Sequence, residues 1–308
     1  MVVAQYLLTF REVLEAALLS AIILAFLSRT GRADMTRFAW YGIYGATGAS
    51  LGLGALVWFA YGALSDSQKF LFEGVAALIA VAVLTSMIYW MAVKGRTIKR
   101  EVETRVEAAV TTGAMVGLAS VTFVLVFREG LETVLFLTPF LVQDTGMTVL
   151  GAALGVGAGV GLAYGIFRVG IKLDLQRFFY FTSILLILLA GGLLGYGIHE
   201  LIEYGAETGA YDLGWWATPA YSLGLFGGDD VIPPDPLHHK GYIGSIFAVL
   251  FGYSQNPEWA RVVAHVSYLV IALPLIIAVY RRPDLLARFI TRIRSLRRRS
   301  TAATPQED

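Results

Sequence analysis

The sequence predicts an all-α integral membrane protein: seven transmembrane helices, arranged as an inverted repeat of three plus three with one further C-terminal helix. Three observations carry this. Apolar runs of about 20 residues recur along the 308-residue chain, each long enough to cross a bilayer. Charged residues make up only 15% of the chain, where a soluble domain averages about 25%. One charged hexapeptide occurs twice inside these apolar runs, 117 residues apart.

The first span, Gln5 to Ser28, follows an N-terminus with no positive charge before its apolar run. A secretory signal would carry a basic start and an uncharged apolar centre. Here Arg11, Glu12 and Glu15 interrupt the run, so it reads as a retained span. The next spans run from Phe38 to Leu64, Phe70 to Val93, Gly113 to Val142, Met147 to Arg168, Phe178 to Leu201 and Trp259 to Tyr280. They divide the chain into a first three-helix repeat (1–93), a cytoplasmic loop (94–112), a second repeat (113–201), an extracytoplasmic loop (202–258), a seventh helix (259–280) and a basic cytoplasmic tail (281–308). Glu101, Glu103 and Glu107 mix with basic residues in the 94–112 loop and read as a solvated helix. The helices of spans 2 and 5 are rich in glycine, which predicts close helix packing.

Orientation follows from the basic residues. Nineteen Lys and Arg fall in the loops after spans 1, 3 and 5 and in the tail, against Lys69, Lys240 and Arg261 on the other side. Seven spans with the N-terminus outside and the C-terminus cytoplasmic fit this alternation, in a cytoplasmic membrane whose anionic lipid suits the arginine tail. A net charge of +1 gives no reason to expect nucleic acid. The absence of cysteine excludes thiolate metal sites and iron–sulfur ligation, so a metal site must use oxygen or imidazole.

The repeated motif reads Phe10-Arg11-Glu12-Val13-Leu14-Glu15 in span 1 and Phe127-Arg128-Glu129-Gly130-Leu131-Glu132 in span 4, identical at five of six positions. Span 1 runs inward and span 4 outward, the pattern of an inverted repeat with its substrate site near the midplane. Each buried charge costs roughly 2.5–3.5 kcal/mol on insertion scales, and three cost on the order of 8–10. About fifteen apolar residues return only about 6 kcal/mol. The charges must therefore face protein or water and partly neutralise one another. At 100° per residue, Arg11 lies about 40° from Glu15, and Glu12 about 60° from it, so each motif presents two carboxylates beside a guanidinium. Two opposed faces offer four carboxylates with a net charge of −2, an oxygen-rich site for a hard cation. A structural polar cluster is the competing reading.

One geometric feature conflicts with ideal inversion. About ten residues precede Arg11, but about twenty apolar ones precede Arg128. Counted from Ala108 to Val142, span 4 would be about 50 Å long, so part of it is extramembrane, tilted or broken.

Arg-Glu-x-x-Glu in the first and fourth of seven spans resembles the oxidase-dependent iron transporter family, which contains the fungal high-affinity iron permease and the membrane subunit of bacterial Efe-type iron uptake. The likeness extends to Glu73-Gly74, to Gly197-Ile198-His199-Glu200-Leu201 and to Phe251-Gly252-Tyr253. It implies an iron permease rather than an enzyme, moving Fe3+ or Fe2+ as substrate with no bound organic cofactor. Glu12, Glu15, Glu129 and Glu132 would be ion ligands, and Arg11 and Arg128 their charge partners. Val13 departs from the pattern, since relatives often carry glycine there, so helix packing should differ locally. No long soluble domain is fused to this sequence, so a ferroxidase or periplasmic iron-binding partner would be a separate chain.

Weaker candidates lie elsewhere. Glu73, His199, Glu200 and Glu203, with Asp66 nearby, could receive iron at the outer face and pass it inward; a polar helix cap is the bland alternative. Asp229, Asp230, Asp235, His238 and His239 could capture metal in the outer loop, although loop charges are mostly just solvated. Two other functions compete: transport of another cation such as manganese or lead, and a haem-bearing electron-transfer subunit using His199 and His265.

Overall fold

The computed structural model describes residues 2–94, 97–111, 115–169, 175–223 and 244–281. These are helical apart from short connections, with one isolated bridge between Pro219 and Glu258. In order they form α1 (Val2–Arg29), α2 (Thr36–Gly62), α3 (Asp66–Lys94), α4 (Ile98–Thr111), α5 (Met115–Gln143), α6 (Thr145–Tyr164, continued by a π turn), α7 (Leu175–Thr208), α8 (Gly244–Phe251) and α9 (Trp259–Arg281). Five of them, α2, α3, α6, α7 and α9, are long and apolar enough to cross a membrane. The other two long helices, α1 and α5, are the ones interrupted by the charged motifs.

The lengthy fourth span resolves into two helices. α4 ends at Thr111 and α5 begins at Met115, so thirteen helical residues precede Arg128 and nine precede Arg11. The mismatch with ideal inversion shrinks to about one turn. α4 is amphipathic rather than solvated all round. Val102, Val106 and Val110, spaced by four, are buried in a cluster with Leu19, Ile23 and Leu27 of α1. Its charges stay outside, with Arg105 paired to Glu101 at 2.8 Å. A second cluster fills the space among α1, α3, α5, α7 and α9, including Leu8, Leu84, Phe136, Leu186 and Ile276.

Glycine determines how closely the helices pair. A Cβ on Gly42 of α2 would meet Ala119 O, Thr122 Cβ and Phe123 N of α5 at 2.5–2.9 Å. A Cβ on Gly151 of α6 would meet Val2 O, Gln5 Cβ and Tyr6 N of α1 at 2.8–3.3 Å. These are the same atoms 117 residues apart. α3 and α7 also approach through glycine: a Cβ on Gly74 would meet Leu201 and Gly197 O, and one on Gly197 would meet Leu78 and Gly74 O. Beyond α7, Trp215 stacks on Trp216 with ring centroids 4.5 Å apart and meets Trp259 edge to face at 5.6 Å, suited to a membrane interface.

Candidate metal-ion site

α1 and α5 carry their motifs into the same space. In α1, Arg11 Nη1 lies 3.2 Å from Glu12 Oε1, and Arg11 Nη2 lies 3.0 Å from Glu15 Oε1. In α5, Arg128 Nη2 lies 3.2 Å from Glu129 Oε1, and Arg128 Nε lies 3.1 Å from Glu132 Oε1. Each arginine thus bridges the carboxylates one and four positions ahead; helical spacing accounts for the second contact, and the reach of the long arginine side chain for the first. The environments differ. Arg11 is 1% exposed and also reaches Met87 Sδ of α3. The Arg128 side chain is 40% exposed and lies over the Trp90 ring, 4.8 Å from its centroid. Met87 and Trp90 carried no sequence signal, since nothing marks a core methionine or tryptophan as an arginine partner.

Glu12, Glu15 and Glu129 are all buried, and one carboxylate oxygen from each lies within 4.8 Å of the others. Octahedral coordination at about 2.1 Å would put neighbouring ligand oxygens about 3 Å apart and opposite ones about 4 Å apart, so small side-chain shifts suffice. Glu12 Oε2 and Glu129 Oε2 have no hydrogen-bond partner among the described residues, which leaves lone pairs for an ion. Glu132 is buried beside Arg128 but stands outside this triad. A cleft of about 520 Å³ between α1, α2, α5 and α6 reaches Glu12 and Glu129.

The other candidates fall into separate clusters. Glu73 accepts hydrogen bonds from Tyr61 OH at 2.6 Å and from Tyr196 OH, with Glu200 close enough to act on both tyrosines electrostatically. α7 continues to Thr208, so His199 and Glu200 stand two turns inside the helix rather than at its end. Glu203 is exposed, and Asp66 pairs with Lys69 at 2.8 Å. His199 Nδ1 lies 2.7 Å from Glu258 Oε1. Glu258 was missed in the sequence, although it is the acid immediately before α9. Burial raises its carboxyl, but the His199 hydrogen bond and charge, with a backbone hydrogen bond and the Arg261 charge, outweigh this and lower it. His265 packs on Gly191 and on Gly252, whose φ of +66° and closeness to the ring exclude a side chain. Asp229, Asp230, Asp235, His238 and His239 lie outside the described residues.

Comparison with known proteins follows the same lines. The sequence matches the iron permease FTR1 family over residues 2–278. It is 46% identical to an uncharacterized protein of Archaeoglobus fulgidus over 279 residues, 90% of this chain and 95% of that one. It is 32% identical to the ferrous iron permease EfeU of Yersinia pestis over 88% of this chain and 91% of that one. It is 34% identical to EfeU of Escherichia coli over 87% and 92%. No solved structure matches it significantly. A multi-pass helical protein with apolar spans, it lives in lipid. With both charged motifs inside the matched region, the chain belongs to the iron permease FTR1 family.

Proposed function

We propose that this protein moves ferrous iron across the cytoplasmic membrane through a site built by its two Arg-Glu-x-x-Glu motifs. Glu12, Glu15 and Glu129 ligate the ion, Glu132 completes or relays it, and Arg11 and Arg128 hold the carboxylates in place. The observation that carries this reading is the convergence of three buried carboxylates from two helices within 4.8 Å. Charge balance favours a divalent cargo. With all four glutamates ionised, they and the two arginines sum to −2, so a dication would leave the site neutral, whereas a trication would leave an uncompensated charge in a poorly solvated interior. The name of the EfeU relatives, ferrous iron permease, agrees.

On this reading α1, α2, α3, α5, α6, α7 and α9 are seven spans, with the N-terminus outside and the basic tail in the cytoplasm. The first six form an inverted repeat. The matched contacts of Gly42 and Gly151 support it, as do the reciprocal contacts of Gly74 and Gly197 and the parallel ion pairing of the two motifs. The test is uptake into proteoliposomes with ferrous and ferric iron, manganese and zinc compared. Ferrous iron should be taken up in preference, and Glu15→Gln, Glu129→Gln and Glu132→Gln should each abolish uptake while the protein remains folded in the membrane. Normal uptake by all three variants would remove the ligand assignment; a preference for manganese would remove iron.

A further inference from the structure

The motifs leave one row of polar groups in α1 unexplained. Gln5, Thr9 and Glu12 are spaced i, i+4, i+7 and so share one face of the helix. All three are buried: Gln5 is 0% exposed and Thr9 2%. Gln5 Oε1 and Thr9 Oγ1 have no hydrogen-bond partner among the described residues. A threonine within a helix can bond the carbonyl four residues back, and this chain does so at the buried or half-buried Thr85, Thr122, Thr133 and Thr138. Thr9 does not. From α6, Thr148 faces the same row and receives Gln5 Nε2 at 3.4 Å. Gly151 and Gly155 permit this approach, since a Cβ on either would strike Gln5 or Thr9. Thr148, Thr9 and Glu12 all line the 520 Å³ cleft.

The second repeat lacks this row. The counterparts of Gln5 and Thr9, 117 residues on, are Thr122 and Val126. Thr122 is fully buried and spends its hydroxyl on Leu118 O at 2.9 Å, and Val126 is apolar. Unpaired oxygens in an apolar interior are costly, so a row of them on one side alone calls for a ligand.

We propose that Gln5, Thr9 and Thr148 form a neutral oxygen ladder, which begins about 10 Å before Glu12 along α1 and on which a hydrated divalent cation exchanges its water on the way from the N-terminal face to Glu12. Neutral oxygens suit that step: they replace water ligands one at a time without holding the ion as tightly as carboxylates do. The proposal rests on the transport reading above, and its test separates the two.

The chain has no cysteine, so single cysteines report without background. In reconstituted vesicles, Gln5→Cys and Thr9→Cys should react with a small cationic methanethiosulfonate from the N-terminal face at least about tenfold faster than Thr122→Cys, and Mn2+ should slow that reaction. Reaction no faster than at Thr122→Cys, or no protection by Mn2+, would overturn the ladder. In ferrous uptake at equal membrane content, Thr9→Val should raise the half-saturating concentration about tenfold, as loss of one contact to a charged group does. Thr9→Ser should restore it to within about twofold of wild type. An unchanged Thr9→Val would also overturn it. Protected labelling in a wild-type background that transports no iron would remove the iron reading and keep the ladder as a cation path.

Discussion

The single difference between the two motifs, Val13 against Gly130, makes a quantitative prediction about helix packing. Val13 of α1 faces Gly159 of α6, where an added Cβ would lie 2.9 Å from Val13 Cγ1. Gly130 of α5 faces Ser50 of α2, where an added Cβ would lie 1.9 Å from Ser50 Oγ and 2.7 Å from Ser50 Cβ. Large meets small in both pairs, with the sizes exchanged between helices. Gly130→Val should therefore be destabilising. Swinging Ser50 Oγ aside forfeits its 2.8 Å bond to Ala46 O and still leaves the 2.7 Å clash with Ser50 Cβ, so α2 and α5 must separate. Overpacking of this kind costs about 1–3 kcal/mol. Ser50→Gly alone costs about 0.5 kcal/mol in helix propensity. The double variant reproduces the packing of Val13 on Gly159 and should recover most of the loss, a coupling of about 1–2 kcal/mol. Thermal unfolding of the four proteins in detergent, read as a double-mutant cycle, measures it. Additive losses, with the double variant worse than Gly130→Val, would refute the reasoning.

Two further predictions concern charge. Arg11→Ala leaves Glu12 and Glu15 buried without a cation and should cost about 3–5 kcal/mol of stability. Arg128→Ala also strips the cation from the buried Glu129 and Glu132, but the Arg128 side chain is 40% exposed and its removal lets water reach them, so the loss should be smaller than for Arg11→Ala; equal membrane levels and melting temperatures for the two would contradict the burial argument. Glu258 is held below its ordinary value of 4.5 against the pull of burial. Its contribution to stability is therefore complete above about pH 4.5 and lost as pH falls through the lower folded value. Melting temperature measured from pH 6 down to pH 3 should fall more steeply in wild type than in Glu258→Gln, and parallel curves would show that the His199 contact contributes nothing.

Much of this was legible in the sequence, and the gaps have physical causes. Apolar run length marks the long helices within a few residues, because a bilayer imposes that length, except that α7 runs seven residues past the expected Leu201 to Thr208. The convergence of Glu12, Glu15 and Glu129 was legible because such costly charges occur twice, and duplication is hard to explain by packing alone. Glu132 reads as equivalent to Glu15 by spacing, yet the structure leaves it outside the triad, because spacing along one helix says nothing of how two helices rotate against each other. α4 hid its buried face because its charges dominate the composition, although Val102, Val106 and Val110 recur every four residues. Glu258 meets His199 across 59 residues, a distance at which periodicity carries no information. The compensation of Gly130 by Ser50 likewise needs the neighbouring helix.

The inverted-repeat reading has an energetic consequence. In such transporters the two halves exchange conformations as the site opens to one side and then the other. Were the halves identical, the two states would be equal in energy and the ion could bias neither. Here they are framed alike and filled differently. Val13 sits on Gly159 where Gly130 sits against Ser50; Arg11 is sealed in where Arg128 is 40% exposed; Gln5 and Thr9 stand where Thr122 and Val126 do. Each exchange of such contacts is worth about 1–3 kcal/mol, or about 5–150-fold in a two-state ratio. A preference of that size for one state is small enough for a dication bound among these carboxylates to reverse, because the ion's charge is felt most where the site is driest. On the proposed inverted-repeat reading, the asymmetry of the repeats would set the resting state, and their shared motif would let the cargo change it.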